Sequence, residues 1–296
     1  MQYLNNRPLV SVLMTAYNQE NYIGFAIESV IASTYTNFEL IIVDDCSTDK
    51  TCEVILKYQT KDKRIKFYKN QFNIGDYPNR NEAASHANGK YIKYLDADDI
   101  IYEHGLEVMV RSMEMFPEAG LGISLYEIEH NIPYPFQMSP KEIFRKEYLS
   151  KSLLGLGPSA AIIKNKNFIE VGGFSGERYI GDTELWLRLA LKFPIVVFNP
   201  SLNWYRRHDK QQIQNERNDI RIRIVRLELK RKYLIESKTY FSDMEFKFAG
   251  ERINQHFARI ILKEFFSKMD YKILFYLLRM SNIGLIGLLK GFKKYK

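Results

Sequence analysis

Along the first hundred residues, short apolar runs alternate with segments whose apolar positions recur every three or four residues. Residues 9–15 form an apolar run with β-branched members and predict a buried strand. Ile23, Ala26, Ile27, Val30 and Ile31 then fall on one face of a helix, with Asn18 as its expected cap. Residues 38–43 predict a second buried strand that stops at Asp44 and Asp45, and residues 47–49 offer caps for a helix to about Tyr58. A weaker strand over 65–68, a loop over 73–78, an alanine-containing helix through Ala87 and a strand over 91–95 complete the series. This alternation predicts an α/β fold: a mostly parallel central sheet with flanking helices.

The pattern changes twice further on. Residues 120–203 are punctuated by Pro133, Pro135, Pro140 and Pro158, which predicts loops, although a helix beginning at Asp182 (Leu185, Leu189, Lys192) and a strand over 195–198 stand out. From about Glu216 the chain is helical in character, with interruptions expected at Gly250 and Gly284. The boundaries read as 1–215, with halves 1–100 and 101–215, followed by a C-terminal helical extension over 216–296.

Composition supports a folded chain, with 46% hydrophobic and 14% aromatic residues, and charge sharpens the division. The net +8 is uneven: from Arg206 onward 22 Lys and Arg face 10 Asp and Glu, a charge of +12, which leaves −4 before it. A basic tail of this kind suits an anionic surface. Cys46 and Cys52 suggest neither a disulfide framework nor a zinc site, and a reducing cytoplasm is the expected setting. The first residues lack the form of a secretory leader, and the apolar stretch 273–289 is broken by Arg279, Ser281 and Asn282, so no membrane-spanning helix is expected.

The candidate chemistry lies where strands end. Asp96, Asp98 and Asp99 follow a hydrophobic strand within four residues, an oxygen-rich cluster suited to Mg or Mn on a diphosphate, or else a turn and helix cap. Asp44 and Asp45 close the second strand, where a carboxylate can accept from a base edge or ribose. Arg80, in the segment YPNRNEAA, carries a guanidinium fork suited to phosphate or a nucleobase carbonyl. Two carboxylate clusters thus sit at the C-terminal ends of two strands of one expected sheet.

These segments, VSVLMTAYN, FELIIVDDCSTD, NGKYIKYLDADD, VGGF and GDTELWLRL, occur in the order found in the family 2 inverting glycosyltransferases of the A-type nucleotide-sugar fold. The chain resembles that family over roughly residues 8–210, and its spore-coat polysaccharide branch in particular. The resemblance implies that Thr15, Ala16 and Tyr17 line the base and ribose, with Asp45 on the base edge and Arg80 nearby. It places Asp96 and Ala97 beside the ribose, and a divalent Mn or Mg on Asp98 with His208 adding a contact. Asp182 takes the general-base position, where many members have Glu-Asp and this chain has Gly181-Asp182. The implied reaction is a single displacement that inverts the anomeric carbon of a nucleotide sugar, most simply a UDP-sugar, in surface polysaccharide assembly.

An Asp-x-Asp phosphatase fits Asp96 and Asp98 locally, but such enzymes usually begin with that motif. A non-catalytic sugar-binding or nucleic-acid-binding protein draws only on the basic tail, and carboxylate clusters disfavour a phosphate backbone. The expected partners are therefore a nucleotide sugar and a glycan or lipid-linked acceptor, with no nucleic acid. The tail, chiefly residues 271–296, is expected to lie on the cytoplasmic membrane face, with Ile273, Leu274, Leu277, Leu278 and the apolar residues after them as anchors. Packing within the protein or in a homodimer is its other possible use.

Overall fold

A computed structural model describes residues 7–125, 131–207, 219–269, 271–281 and 288. The chain divides into two compact units, one of residues 1–143 with 153–207, the other of 144–152 with 208–296. The division thus falls at 207/208, not 215/216, and the second unit also takes in residues 144–152.

The first unit is built on an eight-stranded sheet. In chain order its strands are β1 (Val10–Ala16), β2 (Phe38–Asp44), β3 (Ile65–Lys69), β4 (Tyr91–Tyr94), β6 (Leu121–Ser124), β7 (Phe136–Met138), β8 (Ala161–Lys164) and β9 (Ile195–Phe198). In space the order is β3-β2-β1-β4-β8-β6-β9-β7. All neighbours pair in parallel except across β8 and at β7, which run against the rest. The parallel part is the one expected from the alternating first hundred residues. The two short strands β5 (Ile100–Ile101) and β10 (Asn203–Trp204) pair separately and antiparallel.

β1 and β2 are buried almost throughout because helices cover both faces, which explains their unbroken apolar runs. Helix α1 (Ile23–Ile31) turns Ile23, Ala26, Ile27 and Val30 inward, and α4 (Gly105–Met115) turns Leu106, Met109, Val110 and Met113 onto the same core. Each of these side chains except Ala26 contributes about 1.5–3 kcal/mol when fully withdrawn from water. One buried charge, Glu39 of β2, is accommodated by hydrogen bonds from Ser11 Oγ (2.6 Å), Lys66 Nζ (2.6 Å) and the Asn88 N–H (2.8 Å). Burial pushes its carboxyl up, but these donors outweigh that and hold it below the usual carboxylate range. At Gly89 the chains run so close that a Cβ would lie 2.5 Å from Ser11 N.

Several local expectations are corrected. Asn18 does not cap α1, whose N-cap is Tyr22 without a side-chain bond; it adopts a left-handed φ of 53° and its Oδ1 accepts from the Thr48 N–H at 2.9 Å. Helix α2 (Thr51–Gln59) has Lys50 at its cap, and Asp49 Oδ1 accepts from the Thr51 N–H at 3.0 Å. The 73–78 loop is shorter than expected, because α3 (Asp76–Ser85) already contains Pro78. Proline is tolerated in a first turn, where its missing N–H costs nothing. Pro140 and Pro158 likewise begin α5 (Pro140–Leu149) and a 3₁₀ turn (Pro158–Ala160), so they start elements in the stretch read as loops. Helices α6 (Asn165–Glu170) and α7 (Gly181–Lys192) complete this unit.

The second unit holds α8 (Ile220–Glu236), α9 (Asp243–Lys268) and α10 (Tyr271–Ser281), with the end of α5. Ser242 and Glu245 form a reciprocal capping box on α9. The helix passes through Gly250 without interruption, while Gly284 lies outside the described residues. No helix among the described residues is long and apolar enough to cross a membrane. Leu277 is buried and Leu274, Leu278 and Leu288 are half-buried, so these residues do not form the exposed anchor expected of them. The outward face of α10 instead carries Tyr271, Lys272, Phe275, Tyr276 and Arg279.

Candidate active site

Strand register assembles the first part of the site. β1 pairs with β2 so that Ala16 lies beside Asp44, and with β4 so that Leu13 lies beside Tyr94. The chain leaving these three neighbours therefore presents Thr15, Ala16 and Tyr17, then Asp45, then Asp96, Ala97 and Asp98 along one edge. The Asp45 N–H donates to Ala16 O at 2.8 Å, fixing the first two segments together. Ala16 is buried, Thr15 half-buried and Tyr17 exposed, so the Tyr17 ring is the part that a ligand can cover. C-terminal strand ends are where ligands bind in open α/β sheets.

The two aspartates after β2 have different surroundings. Asp44 is buried, with Oδ1 accepting from the Ser47 N–H (2.9 Å) and Cys52 Sγ (3.3 Å), while Oδ2 has no partner among the described residues. Asp45 Oδ1 accepts from Asn70 Nδ2 (2.8 Å) and the Ile74 N–H (2.9 Å), and Oδ2 from the Gly75 N–H (2.9 Å). Two donors fill Oδ1, so the remaining lone pair of Oδ2 is the acceptor that Asp45 can offer a base. Asn79 of α3 links this loop to β2, accepting from Asn70 at 3.0 Å and donating to Val43 O at 3.2 Å.

The acidic turn after β4 is separated by its partners. Asp96 Oδ1 accepts from Arg80 Nη2 at 2.8 Å, and Arg80 Nε donates to Asp76 Oδ1 at 2.8 Å. Arg80 is buried, and its flanking carboxylates hold its guanidinium well above the ordinary range in spite of burial. Arg80 is thus a strut inside the site. Asp99 points inward: burial, Asp96 and Asp98 push its carboxyl up to about 7, and its Oδ2 is buried without a partner among the described residues. Lys93, wholly buried on β4, donates to Ser159 O, and burial pushes its ammonium down to about 7. Ser159 Oγ in turn accepts from the Asp96 N–H at 3.1 Å.

Asp98, half-buried, is the third carboxylate of the turn. Among the described residues no group of three or more His, Cys, Asp or Glu side chains converges into a protein-only cage. One carboxylate completed by substrate phosphate oxygens is nevertheless how Mg and similar hard cations are commonly held, so the donor set fits. Arg206 reaches the same turn, its Nε donating to Asp98 O (2.9 Å) and its N–H to Asp99 Oδ1 (3.2 Å). Its guanidinium lies over Trp204 (4.7 Å) and Tyr22 (5.1 Å). His208 lies outside the described residues.

Asp182 is reached through α3. It occupies the second position of α7, not the N-cap, which is Ile180. Its Oδ1 accepts from the Tyr77 hydroxyl at 2.5 Å. Burial pushes its carboxyl up, against the hydrogen bond from Tyr77 and the charge of Arg80. One turn of α3 therefore carries Arg80 against Asp96 and Tyr77 against Asp182. Tyr77, Asp76, Asn79, Lys93, Ser159 and Arg206 are site residues that the sequence reading missed. Helical spacing from Tyr77 to Arg80 was a usable signal, as was the lone charge of Lys93 in an apolar strand.

Comparison with known proteins identifies the family and the fold. Residues 11–172 match the profile of glycosyl transferase family 2. An uncharacterised glycosyltransferase of Methanocaldococcus jannaschii is 41% identical over 167 residues, 54% of this chain and 57% of that protein. The UDP-Glc:alpha-D-GlcNAc-diphosphoundecaprenol beta-1,3-glucosyltransferase WfgD of Escherichia coli is 38% identical over 123 residues, 42% of this chain and 47% of that protein. The chain thus spans about half the length of these relatives. Among solved structures, Staphylococcus aureus TarS with UDP-GlcNAc superposes with a TM-score of 0.66 at 18% identity, covering 92% of this chain and 79% of that one. The mannosyltransferase PcManGT of Pyrobaculum calidifontis with GDP-Man and Mn2+ gives 0.60 at 17%, covering 96% and 79%. The structures share the fold, and the profile covers more than half of the chain: it belongs to glycosyl transferase family 2.

Proposed function

We propose that this chain is a metal-dependent inverting glycosyltransferase that moves a sugar from a nucleotide-sugar donor, a UDP-sugar first, to an acceptor hydroxyl in surface polysaccharide assembly. The observation that carries the reading is the single turn of α3 that braces Asp96 through Arg80 and Asp182 through Tyr77. Thr15, Ala16, Tyr17 and the free lone pair on Asp45 take the base and ribose, with Asp96 and Ala97 at the ribose edge. Asp98, with His208, would hold Mn or Mg, which when bound supplies Lewis-acid stabilisation of the departing diphosphate. Asp182 accepts the acceptor's proton as its oxygen bonds to the anomeric carbon and the bond to the diphosphate breaks, the electron pair leaving with the diphosphate. General-base assistance of this kind is worth about 10² to 10⁴-fold.

The test is a screen of UDP, UDP-sugars, GDP and GDP-mannose for thermal stabilisation with and without Mn. A ligand at a hundred times its Kd stabilises by about 2.7 kcal/mol. The expected result is a Mn-dependent rise for at least one nucleotide, lost in Asp98→Ala. No metal-dependent response to any nucleotide, together with hydrolysis of p-nitrophenyl phosphate, would favour the phosphatase reading.

The second unit supports a peripheral place on the cytoplasmic membrane face beside a lipid-linked acceptor, the acceptor class that the name of WfgD carries. Tyr271, Phe275 and Tyr276 are exposed on α10 beside Lys272 and Arg279, with Phe266 and Met269 exposed just before them. Aromatic and basic side chains on one face are the composition of an interfacial helix, where each cation near anionic lipid adds about 1 kcal/mol. Full-length protein is expected to float with anionic vesicles at low salt, and Phe275→Ser with Tyr276→Ser to reduce it. Full-length protein that stays in the dense fraction leaves packing or dimerisation as the role of this face.

A further inference from the structure

We propose that Tyr77 is the positioning residue of Asp182: its buried hydroxyl holds one carboxylate oxygen and leaves the other for the acceptor hydroxyl. The proposal rests on the reading of Asp182 as general base. Tyr77 is 7% exposed, and its ring stacks on Phe174 with centroids 5.2 Å apart. Phe174 is itself clamped to the same helix, its N–H donating to Asn81 Oδ1 (2.9 Å) and its carbonyl accepting from Asn81 Nδ2 (2.8 Å). The phenol therefore has little room to turn away. It donates to Asp182 Oδ1, and among the described residues no side chain donates to Oδ2.

Position 181 gives an independent reason to assign the ring this role. A Cβ on Gly181 would lie 2.7 Å from Tyr77 Cζ, with two further ring carbons at 2.8 Å. Contacts this close exclude a side chain, so the Tyr77 ring occupies the volume that residue 181 would otherwise fill. The Gly-Asp pair, which departs from the Glu-Asp of many family members, is thus complementary to Tyr77. The backbone conformation of Gly181 is helical, so steric space and not φ is what demands glycine here.

Among the described residues, Arg80 of α3 favours the Asp182 carboxylate and Asp76 of the same helix opposes it, while Glu184 of α7 is turned to Ser175. Burial and the Asp182 charge push the Tyr77 phenol well above its ordinary range, so it stays a donor throughout the working pH range.

Tyr77→Phe removes the donor and keeps the ring. Losing a hydrogen bond to a charged group is expected to raise the titration midpoint of Asp182 by about one pH unit. The direct measurement follows the side-chain carboxyl of Asp182 by 13C NMR in the full-length protein, assigned by its loss in Asp182→Asn. Gly181→Ala, which displaces the ring from the other side, is expected to raise the midpoint as well. In parallel, hydrolysis of the nucleotide sugar that stabilises the protein most is followed against pH. The acid limb of kcat/KM is expected to move up with the midpoint in Tyr77→Phe, with KM for the donor unchanged. An unaltered Asp182 midpoint in Tyr77→Phe overturns the proposal even if Asp182→Asn is inactive. Full hydrolysis by Asp182→Asn, in contrast, removes the base reading, and a raised midpoint then still assigns Tyr77 to the contact.

Discussion

Asp182→Asn is expected to lower glycosyl transfer at least about a hundredfold while leaving Mn-dependent donor affinity as it is, because an amide keeps the shape and cannot accept a proton. The Tyr77 hydroxyl can still donate to the amide oxygen, so the local structure should persist. Stability provides an independent check. Burial raises the carboxyl of Asp182 in the folded state, so the native protein binds its proton more tightly than the unfolded chain does. Stability from this group is then present at low pH and declines as pH rises from the unfolded to the folded midpoint. At pH 7 the carboxylate opposes folding, and Asp182→Asn should match or exceed the wild type in urea unfolding. A variant that loses stability and keeps its turnover would make Asp182 structural and place the base elsewhere.

Arg80→Ala is expected to be the most damaging single change to stability among the site residues. It removes the common partner of Asp76 and Asp96, and breaking a buried pair typically costs about 3–5 kcal/mol. The lower end applies, since the Asp76 side chain is 37% exposed and water screens that half of the interaction. Arg80→Lys should recover only part of the loss, because an ammonium cannot span two carboxylates as a planar fork does. Urea unfolding at pH 7 measures both. Wild-type stability in Arg80→Ala, with donor binding lost, would mean that Arg80 acts on the ligand and not as a strut.

The parallel part of the fold was legible because β1, β2 and β4 are covered on both faces, and two-sided burial writes long apolar runs into a sequence. The equally short β9 was read over 195–198, whereas β6 and β8, with only four residues each, and β7, with three, went unread in the proline-punctuated stretch. Prolines disguised them further, since a proline that starts a helix reads like one that stops it. Asp45, Asp96 and Asp98 could be singled out as candidates because they follow strand ends, where the chain has little reason to place acids in a row. Tyr77 could not be found the same way, as its role depends on the absence of a side chain 104 residues away at Gly181. In the tail, the sequence shows apolar residues without showing which way they face: Leu277 is buried, while Tyr271, Phe275 and Tyr276 are exposed.

One reversed strand has a wider consequence. β8 runs against β4, so the chain enters it at the very edge where β4 ends, and Ser159 meets Asp96 there. The segment before β8 can therefore change in length or sequence without shifting the register of the nucleotide half, because no parallel crossover depends on it. Exchange of that segment then leaves the strands that lead to Asp45 and Asp96 in register, and one contact through which such a change would still be felt is the bond from the Asp96 N–H to Ser159 Oγ.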